Sequence, residues 1–541
     1  MDFTEIYNQT ASLVHFSPGT HFLLTAVEDR LIIRRSDSFQ IARTWLVDTS
    51  RSPTSAALAN AAGSSSLRPK TDENAWITHA GWSCDSEYVF GACAKTGVVS
   101  VFKLRDESWS ARIEAGSEGL VRAEWAPDGR TILCFSEWGL RVTMWSLVTG
   151  TATHVQYPIH PDRGYAFRQD ARYFVLAERH KSKDTLGVYD AQEAYRLVRH
   201  FPLPTGSLAS VSLSPTGNYL AVWEGPLEYK LYVVSLAGNV LGAFSPDPDP
   251  GFGIRIVSWH PSGKFLAVAG SDDKADSTSC CHRAVLIGRT QVHILESLTW
   301  GPIATFDLPT RIPAGVNVWR EPSGWLEATH GRGFLSYERI QAPFTLPTTA
   351  SQVRNKPARP AAGARSGGSN APSAAARSAA GTTQLAFNTS GNLLLVRSAS
   401  APTAVLLYDF PMPSSDPSAS RSTSASREPL VPRLRSVLLH AQPVTAARWN
   451  PEPARAGRLA VACGSQSVYL WSDEWVTEGG AGEEEDTEVA ECVGVPAQKF
   501  ETRDLRWAPD GKGMILLDQK TFCCAFEVEE EGQDFASGAM G

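Results

Sequence analysis

One short turn signature recurs along this chain, and it constrains the fold more than any other feature. An apolar run ends on an aromatic or aliphatic residue. Ser, Ala or His then precedes Pro, Asp, Thr or Ser precedes Gly, and a second apolar run follows. The clearest copies are Trp125-Ala126-Pro127-Asp128-Gly129, Leu213-Ser214-Pro215-Thr216-Gly217, Trp259-His260-Pro261-Ser262-Gly263 and Trp507-Ala508-Pro509-Asp510-Gly511. Looser copies centre on Phe16, Trp82, Phe167, Phe387 and Trp449. Proline presets φ at the first turn position and glycine accepts the positive φ that follows, so each copy joins two strands. The flanking runs, such as 256–259 and 264–269, are rich in β-branched and apolar residues, as strands are. A third strand follows in each unit, for example 140–145, and a fourth is usually readable after it.

Successive anchors from Trp82 to Trp259 lie 42 to 46 residues apart. A four-stranded unit repeating at about 40–45 residues is one propeller blade. Nine anchors therefore predict an all-β propeller spanning 1–541, most simply one large ring of about nine blades. Seven or eight blades with extra strands is the alternative. The Gly-His pair of the best-known version of this repeat is missing. Its terminal Trp-Asp is replaced by Tyr189-Asp190, Tyr408-Asp409, Trp145-Ser146 and Trp471-Ser472, so these are divergent WD-type repeats. The last unit lacks a fourth strand, while residues 2–8 form a spare extended segment before the first anchor. A propeller hides its edges, so residues 2–8 are predicted to complete the final blade.

The net charge of −7 argues against bulk nucleic-acid binding. The opening residues lack the pattern of a secretory signal, and no stretch approaches the roughly 18 apolar residues of a membrane helix. Nine cysteines without a framework spacing are expected to be reduced, as in a cytosolic protein. Low-complexity inserts are expected at about 50–75, 271–283, 348–381, 411–432 and 473–491, with a tail at 529–541. The insert at 348–381 carries Arg354, Lys356, Arg359, Arg365 and Arg377 and no acids. It reads as a soluble tether that could also touch an acidic polymer such as a tubulin tail or RNA.

No constellation for catalysis stands out, and no cofactor or metal is expected. Cys280-Cys281-His282 has adjacent ligands that cannot easily wrap one zinc. Cys523-Cys524 lies in a strand, where neighbours face opposite sides, so core packing is expected. The charged stretch 178–184 reads as a solvated hairpin tip. Most of the tryptophans are expected at repeat anchors.

Several strings go beyond a generic blade. They include 1–5, 116–121, 125–130, 140–147, Leu176-Ala177-Glu178-Arg179, Lys183-Asp184, 220–223, Leu227-Glu228-Tyr229-Lys230 and 468–472. On these the chain resembles the WD repeat-containing protein 8 family of spindle-pole and centrosomal adaptors, as a fungal-type member with long inserts. The resemblance implies a non-enzymatic scaffold at the microtubule-organising centre, in the cytoplasm and cytoskeleton. Its implied partners are a coiled-coil spindle-pole anchoring protein and a minus-end-directed kinesin. The γ-tubulin complex or microtubules are indirect contacts, and neither nucleic acid nor membrane is a partner. Candidate partner-binding residues are Glu178, Arg179, Lys183, Asp184, Leu227, Glu228, Tyr229 and Lys230. An adaptor in translation or RNA binding is the alternative.

Overall fold

In the computed structural model each of the nine turn signatures joins the first and second strands of an antiparallel sheet. The structure describes residues 1–48, 50, 75–247, 253–270, 290–348, 381–411, 431–473, 488–497 and 499–527. Among these, nine blades follow in chain order. Blade 1 runs from Val14–Phe16 to Ile41–Leu46, blade 2 from His79–Trp82 to Ser110–Glu114, and blade 3 from Arg122–Trp125 to Ala152–Gln156. Blade 4 runs from Tyr165–Phe167 to Arg196–Pro202, blade 5 from Leu208–Leu213 to Val240–Phe244, and blade 6 from Ile254–Trp259 to Pro302–Asp307. Blade 7 contains Thr382–Phe387 through Arg433–Leu439, and blade 8 contains Ala446–Trp449 through Val489–Gly494. Blade 9 has Asp504–Trp507, Gly513–Leu517 and Thr521–Phe526.

The core is distributed between blades. Leu133, Phe135 and Met144 of blade 3 pack on Phe174, Leu176 and Tyr189 of blade 4. Val175, Leu186 and Val188 on the other side of blade 4 pack on Val211, Leu220 and Val222 of blade 5. The same sandwiching repeats around the chain and ends with Ile515, Leu517 and Phe522 of blade 9 against Val14 and Leu23 of blade 1, which closes the ring. Cys523 and Cys524 take opposite sides, toward blade 8 and blade 1, and burial pushes the Cys523 thiol up to about 12.

The anchors explain the spacing of the repeat. Each anchor indole donates to a carbonyl on the preceding blade, always the residue before that blade's own anchor. Trp82 donates to His15 at 3.2 Å, Trp125 to Gly81 at 3.1 Å and Trp259 to Ser212 at 3.3 Å. Trp449 donates to Ala386 at 3.1 Å and Trp507 to Arg448 at 2.9 Å. The turn itself is also a contact. Gly511 has φ 67° and lies against Asn450, whose side-chain amide donates to the Gly511 carbonyl at 2.9 Å. A Cβ at that position would fall 2.2 Å from Asn450 Oδ1, so glycine is needed for packing as well as for φ.

The N-terminus completes blade 9 as its sequence suggests. Asp2–Phe3 and Tyr7–Asn8 both pair antiparallel with Thr521–Phe526. The connection from blade 6 to blade 7 holds elements that the repeat pattern did not suggest. Asn317–Arg320 adds to blade 7 in parallel with Arg433–Leu439 and carries Glu338–Ile340 on its far side. Phe334–Ser336 adds to the outer strand of blade 8. One segment thus clasps the rims of two blades. Inside the clasp, Glu321 accepts from Trp325 Nε1 at 2.9 Å, Tyr469 Oη at 2.7 Å and the Ala441 amide at 2.7 Å.

The insert expected over 473–491 is shorter than its composition suggested. Asp473 pairs with Arg435, and the outer strand of blade 8 begins at Val489. Glu488 is buried, accepting from Arg435, from Ser436 and from Trp319 Nε1. Burial alone would raise its carboxyl, but these donors hold it below the usual range. Apart from residues at their edges, the remaining expected inserts lie outside the described residues, as do the basic residues Arg354 to Arg377 and Cys280-Cys281-His282. No helix among the described residues is long and apolar enough to cross a membrane.

Candidate interaction face

In antiparallel blades the second-to-third-strand loops and the blade-to-blade connections emerge on the same face of the ring. Both hairpins singled out in the sequence lie there, in adjacent blades: 180–183 in blade 4 and 225–230 in blade 5. The connection between these blades joins them. Asp184 Oδ1 takes a two-pronged contact from Arg179 at 2.9 and 2.7 Å. Its Oδ2 accepts from the Leu208 amide at 2.7 Å and Thr205 Oγ1 at 3.1 Å. Glu224 grips the same connection from the other side, accepting from the Gly206 and Ser207 amides at 2.8 and 3.0 Å.

This changes the candidate list. Glu178 and Asp184 are 3% and 1% exposed, so the stretch 178–184 is not a freely solvated tip. Asp184 is spent on internal donors, while Glu178 accepts from Tyr189 Oη on Oε1 and faces His180 and His200 with Oε2, so both buried carboxylates have polar partners. Tyr229 is buried as well, packed edge-on against Phe244 and His293. Three of the eight candidates are therefore withdrawn from the surface. Arg179, Lys183 and Leu227 remain exposed, and Glu228 and Lys230 pair with each other at 2.7 Å.

The same face of blade 3 carries a feature that the sequence reading missed. Trp138 sits at φ 61° in the short turn Glu137–Gly139 and is 91% exposed. Leu140 beside it and Tyr157 are also exposed. The Tyr157 amide donates to the Leu140 carbonyl, and its carbonyl accepts from the Arg179 amide, both at 2.9 Å. Its ring meets His180 edge-on at 5.8 Å. Trp138, Leu140 and Tyr157 are thus three exposed apolar residues on hydrogen-bonded loops of one face, with Glu137 next to Trp138 in the chain and Arg179 paired through its backbone to Tyr157. Five of the sixteen tryptophans are anchors, and Trp138 lies well away from any of them. The signal available was a Trp138-Gly139 pair beside Glu137 in a short loop between two strand-like runs.

The family model "WD domain, G-beta repeat" matches residues 243–275. WD repeat-containing protein WRAP73 of Mus musculus is 30% identical over 538 residues, 98% of this chain and 97% of its own length. The uncharacterized WD repeat-containing protein C32H8.09 of Schizosaccharomyces pombe is 26% identical over 184 residues, 33% of this chain and 38% of its own. Among solved structures, the C-terminal WD40 domain of Sif2 aligns over 92% of this chain and 99% of its own, at 11% identity and a TM-score of 0.43. The 30% identity to WRAP73 along almost the whole of both chains shows that the protein belongs to the WD repeat-containing protein family of WRAP73.

Proposed function

We propose that the protein is a non-enzymatic adaptor of the WD repeat-containing protein 8 type, acting at the microtubule-organising centre. It binds a coiled-coil anchoring protein and helps bring a minus-end-directed kinesin to the spindle pole, so that microtubule minus ends are held there. The observation that carries the binding role is the exposed Trp138 with Leu140 and Tyr157 on a rigid face. An amphipathic helix presents apolar side chains at i, i+3 and i+4, and its flanking charges can meet Glu137 and Arg179. A helix of the coiled-coil partner is the occupant this surface suits. The location rests on the family-like strings, among them Leu176-Ala177-Glu178-Arg179 and Leu227-Glu228-Tyr229-Lys230.

A fluorescent fusion imaged through mitosis tests the location. The expected result is a focus at each spindle pole that persists into anaphase. A diffuse or vesicular distribution of the intact, folded fusion overturns the assignment and leaves the fold untouched.

A further inference from the structure

Blade 4 brings together two histidines and a carboxylate beside the docking surface, where His180 also meets the Tyr157 ring. Glu178 and His180 are two residues apart on Tyr173–His180 and so share one side of the sheet. His200 lies two strands away, on Arg196–Pro202. The strand between them, Lys183–Asp190, places Gly187 opposite both Leu176 and His200. A Cβ on Gly187 would lie 2.3 Å from Glu178 Oε1, so the missing side chain is what lets the carboxylate lean across toward His200. Tyr189 Oη donates to Oε1 at 2.5 Å and fixes the carboxylate. Oε2 is then 2.9 Å from His180 Nε2 and 3.4 Å from His200 Nε2. One donor atom from each of the three residues lies within 4.8 Å of the other two. The carboxylate is buried, while the histidine side chains are 41% and 36% exposed, so the cluster is anchored below and open above.

We propose that Glu178, His180 and His200 form a binding site for a divalent transition metal, with Zn2+ the best-fitting ion. Two imidazole nitrogens and one carboxylate oxygen are a recurrent three-ligand zinc set that leaves the fourth position to water. Calcium and magnesium prefer all-oxygen sets, which this is not. Ligand atoms around tetrahedral zinc sit roughly 3.3 Å apart, as follows from metal–ligand distances near 2.0–2.1 Å. The two carboxylate–imidazole distances, 2.9 and 3.4 Å, lie close to this value, and the two imidazoles, within 4.8 Å of each other, can close on a shared ion by side-chain rotation. Tyr189 is the outer partner that orients the carboxylate. The ion would take the Nε2 lone pair of each imidazole, with the ring proton carried on Nδ1. The bound ion would staple the exposed outer strand of blade 4 to the strand that carries Glu178.

The full chain, His180→Ala, His200→Ala and the double variant are titrated with Zn2+ by calorimetry and with Co2+ by absorption. His180→Gln and His200→Gln serve in place of any alanine variant that fails to fold. The expected result is one saturable site in the wild type, weakened at least about 100-fold by loss of either imidazole. The Co2+ spectrum should show d–d bands without a near-ultraviolet thiolate band. Three results overturn the proposal: no saturable binding at micromolar Zn2+, undiminished binding by the folded double variant, or a thiolate band, which would place the metal on cysteine.

Discussion

Removing residues 1–9 is expected to lower the thermal unfolding temperature by on the order of 5 °C and to make the protein self-associate. These residues seal blade 9. The Thr4 amide donates to the Cys524 carbonyl at 2.9 Å, and the Gln9 amide to that of Lys520 at 2.8 Å. Thr4 Oγ1 accepts from the Cys524 amide at 2.9 Å, and Gln9 Nε2 donates to the Asp518 carbonyl at 2.8 Å. The Tyr7 ring stacks on Phe39 and meets Phe522. At about 1 kcal/mol net per hydrogen bond and about 2 kcal/mol for the ring, the gross loss is on the order of 5 kcal/mol. Freeing the segment returns part of this as chain entropy. The consequence for association is larger, because Thr521–Phe526 becomes a bare strand edge beside an apolar core. Differential scanning calorimetry and light scattering read both effects, and a peptide of residues 1–9 added in trans should reverse them. An unchanged melting profile with no association would mean that the ring does not depend on this strand.

Glu321→Ala is expected to destabilise the protein by about 3–5 kcal/mol, the largest effect of any single substitution considered. Glu321 is 7% exposed, and its carboxylate answers three neutral donors drawn from three places. Trp325 Nε1 belongs to the clasp, Tyr469 Oη to blade 8, and the Ala441 amide to the connection between blades 7 and 8. Alanine would leave all three buried without an acceptor, and each such donor costs about 1–3 kcal/mol. Glu321→Gln keeps one oxygen but turns an NH2 toward a donor, so an intermediate loss is expected. Urea denaturation followed by tryptophan fluorescence measures both. Equal stability of the alanine variant would show that the clasp does not hold blades 7 and 8 together.

What could be read in the sequence was local. Pro and Gly dictate the turn at each anchor whatever surrounds them, so all nine blades were legible, down to the loose copies at Phe16 and Phe387. The closing strand was legible because an unmatched edge at one end and a spare extended segment at the other imply each other. The clasp was not, because Asn317–Arg320 and Phe334–Ser336 are too short to show periodicity and pair with strands more than a hundred residues away. Charge misled at 178–184 for a related reason. Arg179 lies close in sequence to Asp184, but the Leu208 amide and Thr205 hydroxyl that complete its shell belong to the following connection. Composition likewise placed Glu488 in a solvated acidic run, whereas Arg435 on a neighbouring blade draws it inward.

The proposed function has this propeller hold a helix of a coiled-coil partner on the face that carries Trp138, Leu140 and Tyr157. Its most direct test is the affinity of the purified full chain for the coiled-coil segment of the spindle-pole anchoring protein, with and without Trp138→Ala. Trp138 is 91% exposed, so its removal should leave the melting temperature unchanged. At least about a tenfold loss of affinity is expected, as when an aromatic anchor is removed. A Trp138→Ala protein that binds as tightly as the wild type would contradict it.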